Sequence, residues 1–421
     1  MPQLQRLILL LFLLLFVSCA PSKAPSPPTR TAAPPTPEER IQLDAEVTRL
    51  ERAFAAAPED AAVHYALCYT YDQARELAKA LRCVQELEHI GWTLGLKPSH
   101  FENAWAQPAF QAIARRLNER EPRVSRSQLG FTAPAELVPE NVALDPKTGA
   151  FFLGSIAQRK IVRIQNGRVR DLTQGGTNSR LPPLLCVLGM KVDPVRRTLW
   201  AATEKSSGTF AGKSALVVFD VDTGDRIAQF EPEDGKPHLF NDVVVTAAAP
   251  EDAFVTDSVG GGVYRVSARG ALQPFLRPGT LVYPNGIALS PDEKKLFIAH
   301  ETGIAIADIA RGTVTELAHP ASIVTGGIDG LYVHRDGLVA VQNGVGRARV
   351  IRLQLDATWS SVVRREVLES VNPAFDSATT GVLDGDRLYY IANSQFRKLG
   401  PEGQPIAPLE DVRVLTLPLS L

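Results

Sequence analysis

Apolar side chains follow two different periods along the chain. Between residues 38 and 121 they recur at three- and four-residue spacing, as at Ile41, Val47, Leu50 and Phe54, and this spacing predicts amphipathic α-helices. Between residues 130 and 421, short runs that alternate apolar and polar residues are separated by turns rich in Gly, Pro and Asp, which predicts β-strands. The pattern therefore indicates a small helical segment followed by a larger β domain.

The β domain repeats one pattern six times. Each unit has a short alternating strand, a turn and a more apolar strand, and the units begin near Glu140, Leu188, Asn241, Asn285, Asp329 and Thr380. The second strands are predicted at 151–153, 199–201, 254–256, 296–298, 338–340 and 388–390. Intervals of about 44 to 53 residues are typical of propeller blades, whereas a single large sandwich would not repeat one pattern at nearly constant spacing. We predict a mainly β fold, a six-bladed β-propeller preceded by a small α-helical segment.

The helical segment, residues 38–121, resembles a tetratricopeptide unit. Large and small residues stand near the packing positions of that repeat, at Leu67, Cys68, Tyr71 and Ala80, but its usual closing proline has only the late candidate Pro98. There is room for roughly one and a half repeats, where such arrays normally need about three, and the stretch 92–117 is expected to supply a capping helix. Two roles stay open for the segment: binding a protein partner, or packing as a cap on the propeller.

The first residues of the chain resemble an export signal. The apolar run 7–17 is too short to span a hydrocarbon core, which needs about 20 residues, so it is typical of a signal peptide. Phe16, Val17, Ser18 and Cys19 follow and resemble a bacterial lipobox, although an ordinary signal peptide is the alternative. We expect a signal peptide over residues 1–19, a Pro-rich tether over residues 20–37, and a lipid anchor on Cys19 that holds the exported protein at the bacterial cell envelope, on the periplasmic or surface side.

The net charge and the cysteines indicate which classes of partner the protein can bind and in which kind of compartment it lies. The formal net charge is −1, from 45 Lys and Arg against 46 Asp and Glu, and no basic stripe offers itself to phosphates, which argues against nucleic acid as a partner. Besides Cys19, the chain has Cys68, Cys83 and Cys186. Cys68 and Cys83 lie on successive predicted helices, where either a disulfide or two buried thiols would fit an oxidising compartment.

The first position of the six repeats is the candidate site. Equivalent positions of propeller blades surround the central axis, and four of the six here are carboxylates or amides: Glu140, Asn241, Asn285 and Asp329. Oxygen ligands without His or Cys suit a hard cation, most naturally Ca²⁺, rather than zinc or copper. The alternative is that each is an ordinary turn residue, as Asn285 before Gly286 suggests, but glutamate has no special role in turns.

The same residues carry a family resemblance over about residues 130 to 421. The segments 139–145, 240–242, 283–291 and 328–331 resemble motifs of the gluconolactonase, senescence-marker protein and regucalcin family. The resemblance implies a six-bladed propeller that holds one divalent metal, often calcium, and that hydrolyses lactones or organophosphate esters. It implies Glu140, Asn241, Asn285 and Asp329 as metal ligands, with Asp329 also the general base or nucleophile.

One departure from the family pattern bears on the substrate. Sugar-lactone hydrolases of this family commonly have an arginine two residues before the third-unit Asn, where this chain has Leu239. A more apolar lactone or ester is therefore at least as plausible as gluconolactone. His238 and His300 are either proton shuttles or structural histidines.

The sequence thus supports two functions. The first is a calcium-dependent hydrolase of lactones or related esters. The second is a noncatalytic envelope propeller that keeps a structural ion and binds a protein partner through residues 38–121. A catalytic cation would be open beneath a pocket, whereas a structural ion would be enclosed.

Overall fold

A computed structural model describes residues 34–173, 184–205, 212–247, 252–267, 270–400 and 403–420. Within these ranges, twenty-four strands form six antiparallel sheets of four strands each, preceded by four α-helices. The predicted six-bladed propeller with a helical N-terminal segment is confirmed. The predicted signal peptide, Cys19 and most of the Pro-rich tether lie outside the described residues.

Five of the six blades are simple meanders of consecutive strands. Blade 1 consists of β2 (Pro139–Asp145), β3 (Ala150–Ser155), β4 (Ile161–Gln165) and β5 (Arg168–Asp171). Blade 2 consists of β6 (Cys186–Asp193), β7 (Thr198–Lys205), β8 (Lys213–Asp220) and β9 (Arg226–Phe230). Blade 3 consists of β10 (Phe240–Val245), β11 (Ala253–Asp257), β12 (Gly262–Val266) and β13 (Leu272–Leu276).

The next two blades follow the same order. Blade 4 consists of β14 (Ile287–Leu289), β15 (Lys295–Ala299), β16 (Ile304–Asp308) and β17 (Val314–Glu316). Blade 5 consists of β18 (Ile328–His334), β19 (Gly337–Gln342), β20 (Arg349–Leu355) and β21 (Val362–Ser370). The six predicted second strands are confirmed, because each falls within the second strand of its blade.

Blade 6 closes the ring with a strand from the other end of the domain. It consists of β22 (Gly381–Asp384), β23 (Arg387–Ile391), β24 (Val412–Pro418) and β1 (Gln128–Ala133). β1 pairs antiparallel with β24, from Gln128 opposite Thr416 to Ala133 opposite Val412. The first and last strands of the domain are thus joined by backbone hydrogen bonds, which leaves only short edges exposed.

Apolar layers between neighbouring blades form the core of the propeller. One fully buried phenylalanine stands in the second strand of each of three blades, Phe152, Phe254 and Phe297. Replacing such a side chain with alanine typically costs about 3–5 kcal/mol, because a cavity remains in a close-packed interior. The blades are therefore held together by side-chain packing across their faces, while hydrogen bonds act within each blade.

The helical segment contains four helices whose starts are set by local chemistry. They are α1 (Pro37–Ala56), α2 (Ala61–Gln73), α3 (Leu77–His89) and α4 (Pro108–Arg120). Thr36 and Glu39 form a capping box at α1, and the Asp60 carboxylate accepts hydrogen bonds from the first turn of α2. Residues 57–60 separate α1 from α2.

The predicted capping helix over 92–117 is only partly correct. The stretch before α4 is irregular except for one 3₁₀ turn, Pro98–His100, and the helix starts at Pro108. Proline lacks an amide hydrogen and fits the first turn of a helix but not its interior. The buried Asp72 carboxylate orders the irregular stretch instead, because it accepts backbone hydrogen bonds from Asn103 (3.3 Å) and Ala104 (2.7 Å).

A disulfide joins α2 to α3. Cys68 and Cys83 are bonded, with their Cα atoms 5.3 Å apart, and this settles the alternative that the sequence left open. Cys186 is a free, buried thiol.

The helical segment packs against the propeller as a cap. Its core includes Val324 and Val345 of the propeller, and ion pairs join Arg49 to Glu301 (2.5 Å) and Arg347 to Glu121 (3.3 Å). The prediction that residues 38–121 bind a protein partner remains a prediction. In the part of the chain that the structure describes, no helix combines the length and apolar character needed to cross a membrane.

Candidate metal centre

The propeller brings the four predicted ligands to one place. Glu140, Asn241, Asn285 and Asp329 belong to blades 1, 3, 4 and 5, and all of them line a single cavity of about 910 Å³, as does Leu188 of blade 2. The sixth repeat position differs. Thr380 is buried, and its hydroxyl donates to the Glu140 carbonyl (3.0 Å) and accepts from Asn141 (2.7 Å), so it joins blade 6 to blade 1.

Irregular strand pairing positions three of these side chains. The register of the innermost strand shifts between Pro139 and Val142 in blade 1, between Phe240 and Val243 in blade 3, and between Ile328 and Gly330 in blade 5. Glu140, Asn241 and Asp329 fall within these shifts. Bulges release a residue from the ladder and turn its side chain, so the backbone directs these groups towards the shared cavity.

The backbone just before the site is also unusual. Two residues ahead of Glu140, Asn285 and Asp329 stand Val138, Tyr283 and Gly327, with φ of 44°, 52° and 65°. Left-handed backbone is uncommon for a β-branched or aromatic residue and costs free energy that the surrounding fold must offset. Strain of this kind concentrates at functional sites, and here Val138 and Tyr283 carry it at the same repeat position, where Gly327 adopts the same conformation without strain.

Burial raises the pKa of the carboxyls at the site. The pKa of Glu140 lies well above its usual value because of burial and the nearby charges of Asp329 and Asp242. Burial raises the pKa of Asp329 to about 6 against the opposing hydrogen bonds from Asn343 and Asn285, and burial raises the pKa of Asp242 to about 7. Buried carboxyls whose charges raise one another's pKa values favour a cation among them.

The unsatisfied oxygens fit an oxygen-binding cation. Oε2 of Glu140 and Oδ1 of Asn285 are buried without a hydrogen-bond partner, which is costly for such groups. The amide nitrogen of Asn241 donates to Ser258 Oγ (3.0 Å), which leaves its carbonyl oxygen for a ligand. The donor set is that of a hard cation such as Ca²⁺.

Two residues at the site were not predicted from the sequence. Asn343, directly after β19, donates from its amide to Asp329 Oδ2 (2.5 Å) and to the Ala378 carbonyl (2.7 Å). Lys97, from the irregular stretch of the cap, donates to the Asn343 carbonyl, and its charge acts on Asp329. The dipeptide Asn343-Gly344 at the end of a strand is a turn signal that could have identified Asn343. No local sequence pattern connects Lys97 with the propeller.

The two histidines have different surroundings. His238 is buried, with Nδ1 2.6 Å from Asp257 and Nε2 2.8 Å from Asp234, which is the arrangement of a structural histidine. His300 lines the cavity, and its Nε2 lies 3.0 Å from Glu316. Leu239 is buried in its blade, with its backbone amide bonded to Asp257.

Comparison with known proteins supports the fold and nothing finer. No protein-family model matches the chain, and no curated protein sequence does. The chain is a six-bladed β-propeller. The solved structures similar to it include the major allergen Mala s 1 of Malassezia sympodialis, at 14% identity and a TM-score of 0.51, covering 69% of this chain and 95% of that one.

Two enzymes also resemble this propeller in structure. A gluconolactonase of Xanthomonas campestris matches at 17% identity and a TM-score of 0.47, covering 70% of this chain and 98% of that one. The PQQ-bound aldose sugar dehydrogenase of Streptomyces coelicolor matches at 16% identity and a TM-score of 0.49, covering 70% and 99%. A fold by itself does not determine a function, so the function must be argued from the site.

Proposed function

We propose that this protein is a metal-dependent hydrolase of lactones or related esters, with Ca²⁺ the natural cation. One observation carries the proposal: four oxygen-bearing side chains from four blades line a cavity, and two of their buried oxygens lack partners. The cavity volume of about 910 Å³ is within the range of pockets that bind small molecules.

The residues divide into holding and reacting groups. Glu140, Asn241, Asn285 and Asp329 would hold the cation. When bound, the cation would polarise the carbonyl of the substrate and stabilise negative charge on its oxygen. Asn343 holds Asp329 by a hydrogen bond of 2.5 Å, which orients the carboxylate to take a proton from water as general base. Attack by Asp329 itself as nucleophile is the second form of the mechanism.

The competing function is a noncatalytic propeller with a structural ion and a protein partner. A structural ion should be enclosed, whereas these ligands line a large cavity. The helical segment already packs on the propeller, where Arg49 pairs with Glu301 and its core includes Val324 and Val345. Both observations favour the hydrolase.

Hydrolysis of a panel of aliphatic, aromatic and sugar lactones tests the proposal. Purified protein is assayed with calcium, after chelation, and as the variants Asp329→Ala and Asp384→Ala, the latter an exposed aspartate at the end of β22. We expect turnover that chelation and Asp329→Ala abolish and Asp384→Ala preserves. Calcium binding without turnover of any lactone would favour the noncatalytic function.

We further propose that a lipid anchor on Cys19 places the protein at the bacterial cell envelope. The support is the lipobox-like sequence that precedes Cys19. Expression in a bacterium with radiolabelled palmitate should label the wild type in the membrane fraction and leave Cys19→Ser unlabelled and soluble. Equal labelling of both proteins would refute the anchor.

A further inference from the structure

The cap places a lysine inside the cavity of the candidate metal centre. This cavity is lined by Glu140, Asn241, Asn285 and Asp329, here called the ring residues. Lys97 precedes the 3₁₀ turn Pro98–His100 and lines the cavity together with Asp329 and Asn343. Its ammonium donates to the backbone carbonyl of Asn343. Among the described residues, no carboxylate lies within ion-pair distance of Lys97. A buried ammonium held only by a carbonyl is an expensive arrangement.

A second cation from the propeller lies near this lysine. Arg397 belongs to the 3₁₀ turn Phe396–Lys398 between β23 and β24 and lines the same cavity. Both side chains line this cavity, and burial and then the charge of Arg397 lower the pKa of Lys97 well below its usual value. Burial, Lys97 and Arg397 also lower the pKa of His100 far below its usual value, so that side chain is neutral and can only share hydrogen bonds with a ligand.

A neighbouring lysine at this cavity has its positive charge compensated by nearby side chains. Lys398 lines the cavity as well, but its ammonium lies 2.9 Å from Asp376 and donates to Gln395 Oε1 at 2.9 Å. Lys97 has one carbonyl in place of these two anionic or polar partners. An ammonium has three donors, so Lys97 can also bind an incoming anion, whose negative charge would favour the protonated form.

We propose that Lys97 and Arg397 form an anion-binding subsite beside the metal centre, and that the substrate carries a carboxylate next to the lactone or ester that reacts. This inference rests on the proposed function for the reacting end of the substrate. An ammonium and a planar guanidinium suit a carboxylate, which both can bind by charge-assisted hydrogen bonds. A phosphate dianion would be repelled more strongly by Asp329 and Glu140, which line the same cavity.

Binding of an unreactive pair of compounds tests the subsite without any need for turnover. Glutarate and its neutral diamide are titrated by calorimetry into the full chain, purified in detergent with calcium, and inorganic phosphate is titrated separately. Loss of one charge-assisted hydrogen bond, about 1.5–3 kcal/mol, corresponds to roughly 10- to 150-fold in affinity. We expect glutarate to bind at least about tenfold more tightly than the diamide.

Variants assign that preference to the two cations. Lys97→Met and Arg397→Met should each weaken glutarate by about tenfold or more and leave the diamide unchanged, while Lys97→Arg should retain glutarate binding. Lys147→Met, at an exposed lysine in the turn after β2, is the matched control and should change nothing. Melting temperatures of all variants establish that they fold, and Lys97→Arg keeps the test informative if the methionine variant does not.

Four results would overturn the subsite. Equal affinity for glutarate and the diamide, or tighter binding of phosphate than of glutarate, would exclude selection of a carboxylate. A Lys97→Met variant that binds calcium more tightly but keeps its preference for glutarate would show that Lys97 only balances the ring carboxylates. Equal activity of wild type and Lys97→Met on carboxylate-bearing lactones would refute the subsite while leaving the proposed function intact, and glutarate binding without turnover of any lactone would do the reverse.

Discussion

A layer of glycines lets the inner strands approach the propeller axis. The residue after the ring position is glycine in four of the six blades, at Gly189, Gly286, Gly330 and Gly381. A Cβ added at Gly286 would lie 2.2 Å from the carbonyl oxygen of Asp329, and one at Gly189 would lie 2.5 Å from that of Asn241. Backbone atoms cannot move aside, so the ring geometry depends on these glycines.

Gly286→Ala should therefore destabilise the propeller. Overpacking of this kind typically costs about 1–3 kcal/mol, and the shift of Asp329 should also weaken calcium binding. Urea denaturation followed by fluorescence measures the first effect and calorimetry the second. Gly303→Ala is the control, because its Cβ would meet only side-chain atoms of Glu316 and His300, no nearer than 3.2 Å. Equal stability of the two variants would contradict the role of the glycine layer.

His238 should make stability depend on pH. Burial alone would lower its pKa, but the hydrogen bonds and charges of Asp257 and Asp234 outweigh burial, and the pKa is raised. Because the folded pKa exceeds the unfolded value of about 6.5, the imidazolium stabilises the fold fully below that value. This contribution is lost as pH rises through the folded pKa.

Replacing the histidine isolates that contribution. His238→Gln should lower the free energy of unfolding more at pH 5.5 than at pH 9, and chemical denaturation at both pH values provides the comparison. His300→Gln, at a histidine that contacts the exposed Glu316, serves as a control. An identical loss at the two pH values would show that the ion pairs of His238 do not contribute as argued.

At the scale of elements, the disulfide defines the helical cap. Cys68 and Cys83 are 15 residues apart in sequence and tie α2 to α3. A crosslink closing a loop of that length stabilises by about 3 kcal/mol on chain-entropy grounds. The cap has a small core, so this contribution is a large part of its stability.

The Cys68→Ser/Cys83→Ser double variant should melt earlier than wild type in the cap. Near-ultraviolet circular dichroism follows this transition, since Tyr65 and Trp92 stack in the core of the cap with ring centroids 5.3 Å apart. Adding dithiothreitol should lower the melting temperature of the wild type and leave that of the double variant unchanged. A shift in both proteins would indicate that Cys186 or a general effect of the reductant is responsible.

At the scale of the whole molecule, a bound cation would connect blades 1, 3, 4 and 5. Ligand binding to the folded state alone stabilises it, by about 2.7 kcal/mol at a hundredfold excess over Kd. The propeller already closes through the pairing of β1 with β24, so a bound cation would add a second connection at the axis. A bound cation should therefore stabilise the whole propeller domain.

Calcium should therefore raise the melting temperature of the propeller, and the increase should shrink in acid. Protons compete with the cation for the carboxylates, and the pKa of Asp329 is about 6 while that of Glu140 is raised further above its usual range. Scanning calorimetry at pH 8 and pH 5 should show a clear increase only at pH 8. Glu140→Gln should abolish the increase and Asp384→Ala should keep it; an increase that survives in Glu140→Gln would place the cation elsewhere.

The sequence by itself determined the features that follow from local rules repeated along the chain. Strand alternation and turn residues placed the second strand of every blade, and blade symmetry brought Glu140, Asn241, Asn285 and Asp329 to one cavity. Repetition made this possible, because equivalent positions must face the same axis. The three- and four-residue spacing of apolar side chains placed the helical segment before the propeller.

Only the tertiary structure decided what long-range packing controls. Lys97 reaches the ring residues because the cap docks on the propeller. The residues next to Lys97 in sequence carry no pattern that predicts this contact. Thr380 occupies the first position of the sixth repeat, yet its hydroxyl joins blade 6 to blade 1. The closure of the propeller uses this hydroxyl. β1 completes the last blade for the same reason. Contacts between distant segments depend on the shapes of complete surfaces, and no local periodicity encodes them.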